Sequence, residues 1–473
     1  MNMQRSTPEK QGVRSRAVMD FLNKIEAETQ ELHSFMLLKN GKVISECWWE
    51  PYAPQYRHQL FSLSKSFTST AIGLAANEGL LTVDTLVTDI FKKEVEELGN
   101  GIDQKMKKMT VKNLLTMATG MEYENWGFGD NETNNIKNFL SSHIKNEPGS
   151  VFFYHTLATY MQSAIITRLT GQKLADYLAP RLFGPLGIEP RWEEDNFNIN
   201  YGGFGLNIKT EDIAKLGQLY LQKGLWNGRR LIPEAWIEEA TAKQIENAAP
   251  GDAGNWSFGY GYQFWRCKPE GVYRGDGAMG QFCIVMPGEN AVVAITSNSD
   301  MSKVMDLVWE ILWPALKESN EPSGDRAEYD KLKQMQKNLS HLKNKINFAA
   351  PPFPKINGEY KNENIGAFLD VGETEGVLHL KYKNLSSAYR FKKGEWADNA
   401  SEYIFGGEQQ SKLFLRCKIH GEWKPQKNAL DLTVWHYETP NKFHISLQFN
   451  KNKTKLTIGI EEFNRIEETA KTN

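Results

Sequence analysis

The chain has 473 residues with 56 basic and 58 acidic side chains, a formal net charge of -2, so nothing draws it globally toward nucleic acid or an anionic membrane. Its length exceeds one ordinary hydrophobic core, and two domains are expected. No run approaches the roughly 20 apolar residues of a transmembrane helix, Met1 to Gly12 has no apolar leader, and Cys47, Cys267, Cys283 and Cys417 are scattered without disulfide or zinc spacing, so the expectation is a cytoplasmic protein with reduced thiols and no metal or cofactor.

Arg14 to Leu32 carries Val18, Phe21, Leu22 and Ile25 at helical spacing. Two strand-like runs, His33 to Leu38 and Lys42 to Trp49, meet at Asn40-Gly41, a strong hairpin signal. Phe61 to Leu81 then reads as a helix, because Phe67, Ile72, Leu74 and Ala75 recur at its period and Gly79 stands at the C-cap position. Ser62 and Lys65 fall one turn apart at its start. A serine hydroxyl becomes a nucleophile when a neighbouring base takes its proton, and a desolvated lysine can be that base. The helix start adds the positive end of the macrodipole. The spacing alone is not selective: Ser142 with Lys145 and Ser340 with Lys343 share it, in polar, charged surroundings that read as solvated helix surface. Only Ser62 opens a long helix of small and apolar residues; its alternative role is an N-cap beside a surface lysine.

After a polar stretch, Thr110 to Met117 reads as a short helix, and Glu122 to Glu132 as a loop whose Tyr123, Trp126 and Phe128 either line a cleft or plug the space beneath it. Val151 to Tyr154 is a short apolar and aromatic run. A helix follows it, with Met161, Ala164, Ile165 and Leu169 on one face and Gly171 at its end. Asp176 to Leu182, Thr210 to Lys223 and Pro233 to Ala242 are helical, while Gly202-Gly203-Phe204-Gly205 is a tight turn without the context of a phosphate loop. Phe282 to Met286 and Ala291 to Thr296 form a second hairpin, and Val304 to Leu316 is a closing amphipathic helix. A helix and two strands at each end of a helical middle predict an α+β domain with an antiparallel sheet built from both ends.

The composition changes beyond Ser319, through a loop-like Ser319 to Asp325, a charged helix over Ala327 to Lys345 and the stiff Ala349-Ala-Pro-Pro-Phe-Pro354. Short alternating segments from Leu378 to Ile460 then predict a small all-β antiparallel barrel or sandwich. The domains are therefore drawn at 1–318, with 319–353 as linker and 354–473 as the β domain. Five of nine histidines lie at or beyond His341 without metal-ligand spacing, so they read as solvated or core residues.

Phe61-Ser62-x-x-Lys65, Thr68-Ser69, Glu78-Gly79, Pro148-Gly149 leading into Tyr154-x-Thr156, and Gly275-Asp276-Gly277 before the last hairpin occur in this order. In them, residues 1 to about 318 resemble the serine β-lactamase-related family of class C β-lactamases, penicillin-binding proteins, D-alanyl-D-alanine carboxypeptidases and related esterases. The resemblance implies a β-lactamase/transpeptidase-like fold in which Ser62 forms an acyl-enzyme, Lys65 keeps it deprotonated and Tyr154 shuttles a proton to the leaving group. It also implies an oxyanion hole from the backbone N–H groups of Ser62 and Ala278, with Thr156, Arg274, Gly275, Asp276 and Gly277 at the substrate. Two positions depart from the family. Thr156 replaces the usual asparagine, and Gly275-Asp276-Gly277 replaces Lys-Thr-Gly or His-x-Gly, so the cation that holds a substrate carboxylate is missing or moved to Arg274. The expected substrate is a small ester, amide or peptide-like molecule, neutral or amino-terminated, because Asp276 would repel a carboxylate. The alternatives are a genuine β-lactamase or D,D-carboxypeptidase, and an inert binding protein that keeps the fold.

Overall fold

The computed structural model describes residues 3–126, 134–249, 251–317, 326–342, 351–382, 385–402, 414–461 and 466–472. Phe128 and Glu132 of the aromatic loop, the Ser319 to Asp325 segment, and the stretch from Lys343 to Ala350 lie outside them.

The principal sheet has six strands: β1 Glu31–Lys39, β2 Lys42–Trp48, β3 Trp265–Arg266, β4 Tyr273–Gly277, β5 Gln281–Met286 and β6 Ala291–Asn298. Their order is β2-β1-β6-β5-β4-β3, antiparallel at every contact. Asn40 (φ +52°) and Gly41 (φ +74°) close the first hairpin, both left-handed as a two-residue primed turn requires. β1 joins β6 with Phe35 opposite Ile295 and Met36 opposite Ala294, so the two ends of the domain do share one sheet.

Four helices bear on the site: α1 Ser15–Ala27, α2 Ser64–Asn77, α3 Thr156–Thr170 and α4 Thr210–Leu221. Strand alternation gives the sheet two apolar faces. On one, Phe35 packs on Phe21 of α1, ring centroids 5.2 Å apart. On the other, α4 lies so close that a Cβ on Gly217 would stand 2.5 Å from Val292 Cγ1 and 2.9 Å from Cys283 Sγ. All four cysteines are buried and free. No described helix is long and apolar enough to cross a membrane.

The chain divides into two compact units, 1–48 with 57–339 and 49–56 with 340–473. The charged helix Arg326–Lys337, which falls in the linker drawn from the sequence, belongs to the first unit. Its Gln336 Nε2 donates to Ser45 Oγ on β2 at 2.7 Å.

Among its described residues the second unit holds ten antiparallel strands. They run from Leu385–Lys392 through Glu375–Tyr382, Ile365–Val371, Ile356–Lys361, Ile466–Thr472, Lys455–Glu461, Lys442–Phe449, Ala429–His436 and Phe414–Lys424 to Ala397–Glu402. The two outermost strands are consecutive in the chain. Asn399 closes the gap between them, accepting from Arg390 N–H at 3.0 Å and donating to Arg390 C=O at 2.7 Å through its side-chain amide. Alternate residues such as Leu430, Leu432, Val434, Ile445, Leu447 and Ile458 fill the core, which is the antiparallel barrel pattern. The 49–56 segment joins this unit through Tyr52, whose hydroxyl accepts from the fully buried Trp435 Nε1 at 2.9 Å and donates to Thr439 C=O at 3.2 Å. Tyr52→Phe removes that acceptor and is expected to cost the second unit about 1–3 kcal/mol. Chemical denaturation followed on two probes checks it: the transition of the second unit moves, and that of the first does not.

Candidate active site

The turn that carries Ser62 is fixed by residues on either side of it. His58–Gln59 pairs with Leu206–Ile208, and Leu60 N–H donates to Leu206 C=O at 2.9 Å. The chain then makes one 3₁₀ turn, Phe61–Leu63, before α2 begins at Ser64. The sequence reads one helix from Phe61; the observed break arises because Phe61 takes φ +47°, a left-handed conformation that is costly for a bulky side chain. Ser64 holds it there, its Oγ donating to Phe61 C=O at 2.6 Å and accepting Leu206 N–H at 3.2 Å. Ser62 therefore sits in a helical first turn, where backbone N–H groups have no acceptor within their own helix.

Lys65, 1% exposed, points its Nζ at three acceptors: Ser62 Oγ at 3.0 Å, Gly203 C=O at 2.8 Å and Thr156 Oγ1 at 3.4 Å. Burial is the dominant influence and pushes its pKa down to about 7, against the opposing pull of Glu124 and then Asp276. Near neutrality much of Lys65 is the free amine that a serine nucleophile requires. The Gly-rich turn that the sequence offers only as a turn supplies one of these acceptors. A Cβ on Gly203 would lie 2.7 Å from Thr156 Cγ2 and 3.5 Å from Lys65 Nζ, so glycine permits the close approach.

Tyr154 lies with its ring centroid 4.9 Å from Lys65 Nζ and stacks on Trp265 at 5.4 Å. Burial, then the charges of Asp276 and Glu124, push its pKa well up, while a hydrogen bond with the Ser62 side chain pulls the other way. The phenol thus stays protonated.

The third motif divides by strand alternation. Gly275 and Gly277 face the Ser62 turn: a Cβ on Gly275 would meet Ser66 Oγ at 2.4 Å, and one on Gly277 would meet Leu60 C=O at 2.1 Å and Ser62 N at 3.1 Å. Ala278 follows at the exposed turn after β4. Arg274 and Asp276 are on the other side. Of the two alternatives, a cation that is missing or one moved to Arg274, the geometry favours the first: Arg274 is 0% exposed, with Nε on Asp276 Oδ2 at 2.9 Å and Nη1 on Asn255 C=O at 3.0 Å. Its guanidinium lies 5.2 Å from the Trp256 ring, and Trp256 Nε1 also donates to Asp276 Oδ2 at 2.9 Å. A fully buried pair of this kind has its charge neutralised in place.

The structure adds Glu124, which sequence reasoning passes over. The exposed carboxylate accepts a short hydrogen bond from the N–H of Thr156, the first residue of α3. No spacing rule marks it, because it lies in an irregular loop 62 positions after Ser62. The only sequence signal is a carboxylate between two aromatic residues, Tyr123 and Trp126. Trp126 packs on Tyr160 at 5.6 Å and on Phe204 at 5.8 Å. Among the described residues no cluster of His, Cys, Asp and Glu could hold a metal ion.

Gly277→Ala is expected to push β4 from the nucleophile's turn and slow covalent labelling of Ser62 by on the order of 100-fold, the cost of an ångström-scale displacement at a reacting centre. Labelling rates with a fluorophosphonate, taken beside a thermal melt, check it.

Comparison with known proteins gives a coherent picture. A sequence model of the family described as Beta-lactamase matches residues 26–313. The 6-aminohexanoate-dimer hydrolase of Paenarthrobacter ureafaciens is 23% identical over 316 residues, 62% of this chain and 80% of the relative. A penicillin-binding protein homologue from Caulobacter crescentus superposes with a TM-score of 0.54 at 17% identity, covering 64% of this chain and 97% of its own. A family VIII carboxylesterase superposes with a TM-score of 0.52 at 16% identity, covering 67% of this chain and 100% of its own.

Proposed function

Because the chain belongs to the Beta-lactamase family, we propose that it is a serine hydrolase working through a Ser62 acyl-enzyme on an ester or amide. The observation that carries this reading is the buried Lys65 amine 3.0 Å from Ser62 Oγ, where burial pushes its pKa down to about 7. Lys65 takes the Ser62 proton as Oγ attacks the substrate carbonyl. The N–H groups of Ser62 and Ala278 receive the developing oxyanion, a pairing supported by the contact of Gly277 with the Ser62 turn. Tyr154 hands its proton to the departing oxygen or nitrogen, and the Lys65 ammonium replaces it. A water then attacks the acyl carbonyl, giving its proton back through the same groups, and Ser62 leaves protonated with the acid released.

The charge around the site supports a neutral or amino-bearing substrate over a carboxylate-bearing one. The Arg274 cation is engaged by Asp276, and Glu124 adds negative charge beside Lys65. By its name, the Paenarthrobacter relative hydrolyses a dimer of 6-aminohexanoate, which favours extending the reading from esters to amides.

Two experiments test this. Intact mass after incubation with a fluorophosphonate is expected to show one adduct that Ser62→Ala abolishes, while turnover of short-chain p-nitrophenyl esters exceeds that of a chromogenic β-lactam. No adduct contradicts the acyl-enzyme, and faster β-lactam turnover contradicts the substrate reading. The pH dependence has a definite sign: Lys65 works as the free base, so kcat/KM rises with pH through about 7 and is lost below it. Lys65→Ala lowers kcat/KM by on the order of 10²–10⁴-fold, the usual loss when a positioned base is removed.

A further inference from the structure

We infer that Trp256 sets the substrate specificity of this chain: its indole, with Tyr154 and Phe152, forms an apolar wall for the leaving-group half of the substrate, so the site takes esters or amides of an uncharged aromatic or bulky apolar alcohol or amine. The inference rests on the serine hydrolase reading above, with Tyr154 as the proton donor to the leaving group. A buried floor of Met117, Tyr260 and Trp265 carries the partly buried Phe152, Tyr154 and Trp256. Phe152 lies 5.2 Å from Tyr260 and 5.8 Å from Trp265, and Tyr154 stacks on Trp265 at 5.4 Å. The phenol that protonates the departing atom is thus one member of a continuous aromatic surface, and a group leaving beside it departs along the other members.

Trp256 is held at its edge, its face and its backbone. Its Nε1 donates to Asp276 Oδ2 at 2.9 Å, the Arg274 guanidinium lies 5.2 Å from its ring, and its C=O accepts from Asn247 Nδ2 at 2.6 Å. The preceding residue is anchored as well: the Asn255 side chain donates to Asp306 Oδ1 at 2.7 Å and accepts from Trp309 Nε1 at 2.9 Å. An indole fixed in this way offers apolar contact area without first having to be ordered. Arg274 and Asp276 neutralise each other beside it, so the wall presents no free cation to a carboxylate. Asp276 remains close enough for its charge to act on Tyr154 and on Lys65, which puts the indole bonded to it next to the same site. The third motif therefore positions an apolar surface where an unpaired cation would select a charged group.

The test compares kcat/KM for methyl, benzyl and para-carboxybenzyl acetate in wild type, Trp256→Ala and Trp256→Phe. The three esters share one acyl group, and their leaving alcohols are of similar acidity. Wild type is expected to prefer the benzyl over the methyl ester by roughly tenfold, with the para-carboxybenzyl ester below the benzyl one. Trp256→Ala abolishes the benzyl preference, and Trp256→Phe, which keeps an aromatic face but not the Nε1 donor, retains only part of it. No benzyl preference in wild type, a ratio unchanged in the variants, or a para-carboxybenzyl ester faster than the benzyl ester overturns the inference. Labelling of Ser62 by a fluorophosphonate, run on each protein, reports whether the site is folded. Where Trp256→Ala does not label, Trp256→Phe decides alone: its ratio falls below that of wild type if the indole is the wall and matches it otherwise. Absence of labelling in wild type overturns the hydrolase reading and this inference with it, whereas normal labelling with an unchanged ratio overturns only this inference.

Discussion

The structure of the first unit depends on keeping one lysine amine away from water. Burial of an ammonium is expensive unless its donors are met, and the three acceptors around Lys65 come from three separate parts of the chain: Ser62 in the 3₁₀ turn, Thr156 at the start of α3 and Gly203 in the Gly-rich turn. Each of these parts is placed by something else. The left-handed Phe61 sets the turn, Glu124 holds the start of α3, and the missing Cβ of Gly203 allows its turn to close on Thr156. The folding problem and the chemical problem therefore have one solution: the contacts that make burial tolerable also aim the amine at the serine.

The same logic explains the third motif. Its glycines serve distance, allowing β4 to lie against Leu60, Leu63 and Ser66. Asp276, which by sequence looks like a substrate-facing charge, turns to the other side and neutralises Arg274 beneath Trp256 and Trp265. The aromatic layer over that pair carries the stack on which Tyr154 rests. A buried ion pair is weak evidence for stability, and here it sits beside Trp265, the ring on which Tyr154 stacks.

Much of this was legible beforehand, for physical reasons that differ by element. The hairpin at Asn40-Gly41, the sheet drawn from both ends of the domain, and the alternating strands beyond residue 354 follow from local rules of turn chemistry and period. The sequence sets Ser62 apart from Ser142 and Ser340 because only its helix is mostly small and apolar, and Tyr154 is a candidate through the resemblance alone. What escaped was set by long-range closure. Glu124 sits in an irregular loop, Gly203 contributes a backbone carbonyl that no side-chain pattern records, and the neutralisation of Arg274 needs Asn255 and Trp256 folded over it. The charged surface of Arg326–Lys337 likewise hides the contact its Gln336 makes with Ser45.

The central claim is that Lys65 is a base poised near neutrality by its surroundings. Its most direct test is an NMR titration of the intact protein with ¹³C-labelled lysine, with the Lys65 Cε resonance assigned by its loss in Lys65→Met. The account predicts a midpoint at about 7, far from the ordinary lysine value of roughly 10.4. A Lys65 resonance that titrates with the surface lysines would contradict it.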